Sequence, residues 1–317
     1  MSDFNRLTLG KQSSELGFVR DTFEKVCRLA ELLVFFESNP ILSKYLALKG
    51  GTAINLSIFD LPRLSVDIDL DFSENLSLSE TELVREEISY IMEQHMESCG
   101  YERSIVKSKR YHTLDSFVYY YTNAGQVRDN IKVEINYSLR SHPLPLQVRP
   151  LKTPGLVKPA NVLSLAPLEI FAAKTAALLS RAAVRDLYDM NNMIYYRLFD
   201  KDQEELLRKC SVFYIAVSSD TIPDEIEFGK MEAITQYKIK TDLYPVIRKQ
   251  ERFDLDAAKT RVREYLSGLL RLSKADQRFL LAFRKKEYLP ELLFEGDILE
   301  RVRNHPMALW KTQLHEY

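Results

Sequence analysis

Asp67, Asp69 and Asp71 alternate with Val66, Ile68 and Leu70 through residues 64–72, the period-two pattern of a half-buried strand. Asp67 and Asp69 stand at i and i+2, so both carboxylates leave one face about 6–7 Å apart. That spacing suits two hard oxygen ligands for Mg²⁺, or Mn²⁺, sharing its coordination with substrate phosphates. An ordinary solvated strand face has the same pattern, but like charges crowded opposite an apolar face repel unless a cation intervenes. Upstream, Lys49-Gly50-Gly51-Thr52 falls at a strand-to-helix turn. Paired glycines let the backbone approach a phosphate closely, and a helix start favours an anion. A lone GGT is otherwise only a tight turn. Glu134, on the polar side of residues 131–137, offers a third carboxylate from another strand. Three acids would hold two divalent ions bracketing an in-line displacement, although beside Lys132 Glu134 also reads as a plain surface residue.

A second group lies further along. Lys174, Arg181 and Arg185 fall at i, i+7 and i+11, one stripe if their helix is unbroken, and Asp186 and Asp189 lie three apart on one helical face. Lys174 then meets triphosphate oxygens while Asp186 or Asp189 holds the lysine or orients the nucleophile. An i,i+4 pair of Arg185 with Asp189 on a solvated face is the structural alternative. Covalent catalysis has no support. His95, His112, His142, His305 and His315 show no HExxH or HxH spacing and read as structural or exposed, and no Ser/His/Asp or Cys/His pattern occurs. Positioning and electrostatics suffice for group transfer without a nucleophilic side chain.

The elements that must position these groups follow from periodicity. Leu16, Val19, Phe23, Val26, Leu29, Leu33 and Phe36 predict a helix over 14–38. A short strand at 45–48 precedes the glycines, and a helical turn starts at Thr52. A helix is expected over 79–98, with Ser79 as N-cap and Glu82 completing a capping box. Strands follow at 101–108, 114–123 and 129–138. Pro143, Pro145, Pro150, Pro154 and Pro159 mark an edge strand plus a linker over 141–160. Helical patterns cover 165–182, 184–198, 202–216, 255–271, 276–288 and 296–312, whereas 217–245 has no clear period. The layout is α+β: an N-terminal domain over 1–150, then a largely α-helical half over 151–317 that contributes Lys174 and Asp186 or Asp189.

Composition narrows the class. The chain has 317 residues, 45% hydrophobic and 28% charged, with 17 Tyr and 16 Phe, which excludes disorder throughout. Cys27, Cys99 and Cys210 are far apart and form no CxxC pair, so neither a disulfide framework nor a zinc site is expected. Neither a signal-peptide core nor a membrane span is visible, and a soluble cytoplasmic protein is expected. Net charge is −1, yet residues 241–317 carry 15 Lys and Arg against 12 Asp and Glu. Arg284-Lys285-Lys286, Arg301 and Arg303 in that basic part could receive an RNA backbone.

Taken in order, GGT, RxSxDIDLD and KxxALxxR…RDLYD resemble the AbiEii/AbiGii toxin family, within the polymerase-beta-type nucleotidyltransferases. KGGTAINLSIFDLPRLSVDIDLDF and EIFAAKTAALLSRAAVRDLYDM carry the resemblance, which covers about residues 45–200. It implies a mixed-sheet nucleotidyltransferase domain followed by helices, in a toxin of a bacterial toxin–antitoxin or phage-defence system that includes the MenT group. By the same resemblance Gly50, Gly51 and Thr52 form the phosphate loop, Asp67 and Asp69 bind metal, Arg63 and Ser65 flank them, and Lys174 is the essential lysine. The later helical aspartate is Asp186 or, better matched, Asp189. Many relatives have Gly-Ser where this chain has Gly51-Thr52, so Thr52 would supply the hydroxyl. The resemblance further implies a nucleoside triphosphate donor, the 3′ end of tRNA as acceptor, growth inhibition through blocked translation, and a cognate antitoxin. A protein hydroxyl as acceptor, or a non-catalytic binding module of the same fold, are the competing readings.

Overall fold

The computed structural model describes residues 4–153, 155–219, 221–223 and 225–313. Pro154 of the expected linker and His315 lie outside these. The chain forms two compact units. The first comprises Met1–Arg140, Leu146–Leu165 and Pro245–Glu251; the second comprises Ser141–Pro145, Ala166–Tyr244 and Arg252–Tyr317.

In the first unit, helices α1 (Arg6–Leu16), α2 (Arg20–Ser38) and α3 (Pro40–Tyr45) lead into β1 (Leu46–Lys49). The helix α4 (Gly50–Ala53) continues as a π-type turn over Ile54–Ile58 and is followed by β2 (Asp67–Phe72) and α5 (Leu78–Ser98). Six strands complete the unit: β3 (Glu102–Arg103), β4 (Lys109–Arg110), β5 (Leu114–Thr122), β6 (Arg128–Asn136), β7 (Gln147–Leu151) and β8 (Ala160–Ser164). They form one sheet in the order β3-β5-β6-β2-β1-β8-β7, with β4 also on β5. β2 runs antiparallel to β1 and parallel to β6, so the sheet is mixed, as expected. Its alternation sorts the two faces. Ile68, Leu70, Phe117, Tyr119, Val133 and Ile135 are buried, as are Phe23, Val26, Leu29 and Leu33 of α2. Each such side chain contributes about 1.5–3 kcal/mol by leaving water. Asp67, Asp69, Lys132 and Glu134 alternate to the other face and stay partly exposed.

Several expectations are corrected. The helix over 14–38 is two helices, because Gly17 adopts φ +80 and its N–H, with that of Phe18, closes the end of α1 on Ser13 and Ser14. The capping box of α5 uses Ser77 and Glu80, not Ser79 and Glu82. The strand at 64–72 begins only at Asp67, because Arg63 bridges to Ile247 and the Leu64 N–H donates to the Val246 carbonyl. The expected strand over 101–108 shrinks to β3, and the proline-rich region holds a hairpin of β7 and β8 at the sheet edge.

The second unit is helical: α6 (Pro167–Arg181), α7 (Val184–Tyr195), α8 (Lys201–Ser218), α9 (Gly229–Glu232), α10 (Gln236–Lys238), α11 (Leu255–Leu269), α12 (Lys274–Arg284), α13 (Gly296–Val302) and α14 (Pro306–Thr312). The helix expected over 296–312 breaks before Pro306, whose ring forbids a continuing hydrogen bond. Among the described residues, no helix is long and apolar enough to cross a membrane.

Candidate active site

β1 ends at Lys49 and the chain turns at Gly50, whose φ of +65 is the left-handed region where only glycine sits without strain. Gly50 is also needed for space. A Cβ there would lie 2.6 Å from Oδ2 of Asp69, so the carboxylate rests directly on the turn. A Cβ at Gly51 would lie 2.8 Å from Nη2 of Arg63 and 3.0 Å from Oγ of Ser65. The two glycines, Asp69, Arg63 and Ser65 therefore form one packed cluster. Asn55, which sequence reasoning missed, bonds it together: its amide donates to the Gly51 carbonyl at 2.7 Å and its Oδ1 accepts from the Arg63 N–H at 3.3 Å. Its position four residues after Gly51, on the turn that follows the glycines, was the available signal. The buried Arg63 also donates to the Leu64 carbonyl at 3.0 Å.

Thr52 is fully buried and its hydroxyl donates to the Asp67 backbone carbonyl, so it ties the turn to the acid strand. Asp71 is also buried and pairs with Lys49, which removes it from the crowding expected of three aligned aspartates.

Asp67 and Asp69 share the exposed face with their partners on β6: Lys132 stands opposite Asp67, and Glu134 opposite Asp69. Lys132 Nζ lies 2.9 Å from Oε1 of Glu134. Partial burial would lower the Lys132 ammonium, but Glu134, Asp67 and Asp69 together raise it. Glu134 thus sits beside Asp69 as expected but turns its charge to a lysine. Among the described residues no three His, Cys, Asp or Glu side chains converge to hold a metal. The donor set still suits magnesium, which proteins ordinarily hold through one or two carboxylates, water and substrate phosphates rather than in an all-protein cage.

In the second unit, Lys174 is buried on α6 and its Nζ lies 2.9 Å from Oδ1 of Asp186 and 2.9 Å from Oδ2 of Asp189. Both acids hold the lysine, where the sequence left one or the other. Arg181 Nε adds a contact of 3.1 Å to Asp186. Burial pushes the Asp186 carboxyl up, but the Lys174 and Arg181 charges outweigh it and hold the group below the ordinary aspartate range. The basic stripe expected through Arg185 is broken. Ala182 turns left-handed at φ +49, ending α6 before α7 begins.

Among the described residues, the histidines are structural or exposed. His142 meets Glu169 at 3.0 Å, His305 accepts from the Ala308 N–H, His95 stacks on Phe35 at 3.5 Å, and His112 is exposed. Of the expected RNA-facing cations, Arg284 donates to the Pro223 carbonyl, Lys286 donates to the Lys311 carbonyl and Arg303 pairs with Glu300.

The profile of the family described as "Nucleotidyl transferase AbiEii toxin, Type IV TA system" matches residues 33–283. Among solved structures, MenT4, a nucleotidyltransferase toxin from Mycobacterium tuberculosis H37Rv, superposes with a TM-score of 0.65 at 19% identity, over 96% of this chain and 99% of that one. At that identity the likeness is one of fold. No curated protein matches by sequence.

Proposed function

The chain belongs to the AbiEii nucleotidyltransferase toxin family, and from that footing we propose that it transfers a nucleotide from a nucleoside triphosphate to the 3′ end of tRNA, blocking translation. The observation that carries this reading is the contact of Asp69 with Gly50: the glycine turn and the paired-carboxylate strand are one packed cluster. Asp67 and Asp69 would hold Mg²⁺, or Mn²⁺ in its place, which when bound neutralises charge developing on the transferred phosphoryl group and on the leaving pyrophosphate.

The protein's own residues do the rest. Gly50 and Gly51 let Asp69, Arg63 and Ser65 pack directly on the turn, where Arg63 with Ser65 supplies a buried cation and a hydroxyl over Gly51. Thr52 and Asn55 keep that turn fixed against the strand, so the donor's phosphates meet groups already in place. In the second unit, Lys174 is a cation whose direction is set by Asp186 and Asp189. Glu134 joins the acids only when it releases Lys132. The setting is the cytoplasm, where triphosphates and tRNA occur together. Membership of a type IV toxin–antitoxin family implies an antitoxin.

Purified protein incubated with each labelled triphosphate, Mg²⁺ and either total tRNA or protein extract tests the reading. Label should enter tRNA, and Asp67→Asn or Asp69→Asn should abolish it while the thermal melt holds. Label in protein alone would replace tRNA with a protein hydroxyl as acceptor. Growth arrest that persists in Asp69→Asn would leave only a binding module of this fold.

A further inference from the structure

The register of the sheet carries the acid-bearing face well beyond the acids. Lys49, Asp69, Glu134, Ser116 and Lys109 are successive partners across β1, β2, β6, β5 and β4, so five side chains stand in one row. Asp67, Lys132 and Val118 form the adjacent row, and Tyr120 faces Asn130 in the next. With strands about 4.8 Å apart, Lys109 stands roughly 14 Å from Asp69, a span of two to three nucleotides.

The far end of this face differs from the near end. Tyr120 is half-exposed and its ring lies near two cations, with Arg128 Cζ 4.1 Å and Lys107 Nζ 5.3 Å from its centroid. Lys107, Lys109 and Arg128 are exposed; Arg128 also reaches Glu102 at 2.9 Å, an ion pair open to solvent on both sides. Phe117, Tyr119 and Tyr121, which alternate with Ser116, Val118 and Tyr120 on β5, are buried in the core. Ser116 and Val118, on the face that carries Asp67 and Asp69, are buried too, and over residues 116–121 Tyr120 alone is partly exposed.

Exposed cations around an outward aromatic ring are what single-stranded nucleic acid binds: phosphates track the charges and a base stacks on the ring. The near end, lined by Asp67, Asp69 and Glu134, repels a polyanion, so affinity for one on this face must come from the far end. Resting on the nucleotide-transfer reading above, we propose that this end of the sheet is the track for the acceptor RNA. A single-stranded 3′ segment lays its phosphates along Lys107, Lys109 and Arg128, stacks a base on Tyr120, and directs its terminal hydroxyl toward Asp67 and Asp69.

The test is binding without chemistry. Fluorescence anisotropy of the full chain with a labelled single-stranded RNA of mixed sequence, in the absence of triphosphate and divalent ion, gives affinity and its salt dependence. Tyr120→Ala should weaken binding about tenfold or more, and Tyr120→Phe should retain it, because stacking and not the hydroxyl is used. Lys109→Ala and Arg128→Ala should each weaken binding and lower the slope of log K against log salt by about one. Joint Lys285→Ala and Lys286→Ala in the second unit should change neither, and thermal melts establish that each variant is folded. Asp69→Asn should bind RNA at least as well as the natural chain even where it transfers nothing, so the track and the chemistry are judged separately. Folded Tyr120→Ala with undiminished affinity, equal loss in the Lys285/Lys286 variant, or no RNA binding at all would each overturn the track.

Discussion

At Gly50 two requirements coincide, a left-handed backbone and absence of a Cβ beside the Asp69 carboxylate. Gly50→Ala should cost about 1–2 kcal/mol from the backbone alone. It should also push Asp69 off the turn, so nucleotide transfer should collapse by far more than the melt shifts; transfer that merely tracks stability would mean the contact is incidental. Glu134→Gln should be milder than Asp69→Asn, since Glu134 already answers to Lys132. Lys174→Ala needs care as a test of catalysis. Removing it takes away the cation that two buried acids share, and breaking a buried pair costs about 3–5 kcal/mol. The Asp186 carboxyl is depressed in the folded chain, so it contributes stability above about pH 4 that is lost as pH falls through its lowered value. Acid melts of Asp186→Asn should accordingly fall less steeply below pH 4 than those of the natural chain, from a lower starting stability. An identical acid slope would remove Asp186 from that role.

At the level of elements, most of what positions the acids was legible because it is local. Strict alternation places β2 and β6, helical spacing places α2, and the glycines end β1 where expected. What failed was choice between equivalent local signals. Ser77-x-x-Glu80 and Ser79-x-x-Glu82 are interleaved copies of one capping motif, and only packing selects the first. In the folded helix Ser77 and Glu80 cap each other, and Thr81 also donates to the Ser77 carbonyl. Ser77→Ala should therefore lower stability by about 1 kcal/mol, against less than about 0.5 kcal/mol for Ser79→Ala. Chemical denaturation of the two variants decides it, and equal effects would place the helix start elsewhere. The bond that Thr52 makes was hidden for a related reason. A hydroxyl after paired glycines suits a phosphate or a backbone carbonyl equally well, and no sequence pattern announces that Asp67 would offer its carbonyl.

The molecule as a whole completes its first unit with chain from much further on, and no periodicity could have revealed that. Residues 245–251 return after the helices α6–α10: Val246 accepts from Leu64 at 2.7 Å, Ile247 bridges Arg63, and the Lys249 N–H donates to the Gly17 carbonyl at 2.7 Å. These contacts hold the segment from which Arg63 and Ser65 reach Gly51, so the geometry of the turn depends on a strip distant in sequence. Ile247 is buried, and Ile247→Ala should cost about 2–5 kcal/mol through the cavity left behind, whereas Ile247→Val should cost about 0.5–1.5 kcal/mol. The informative comparison is made well below the melting temperature of Ile247→Ala, where the chain is still folded. There, transfer should already be reduced because Arg63 has lost its backing, while Ile247→Val, which leaves little cavity, should keep transfer close to normal. Full transfer by folded Ile247→Ala would mean that Asn55 and the Leu64 carbonyl hold Arg63 without help, and that the returning strip serves stability alone.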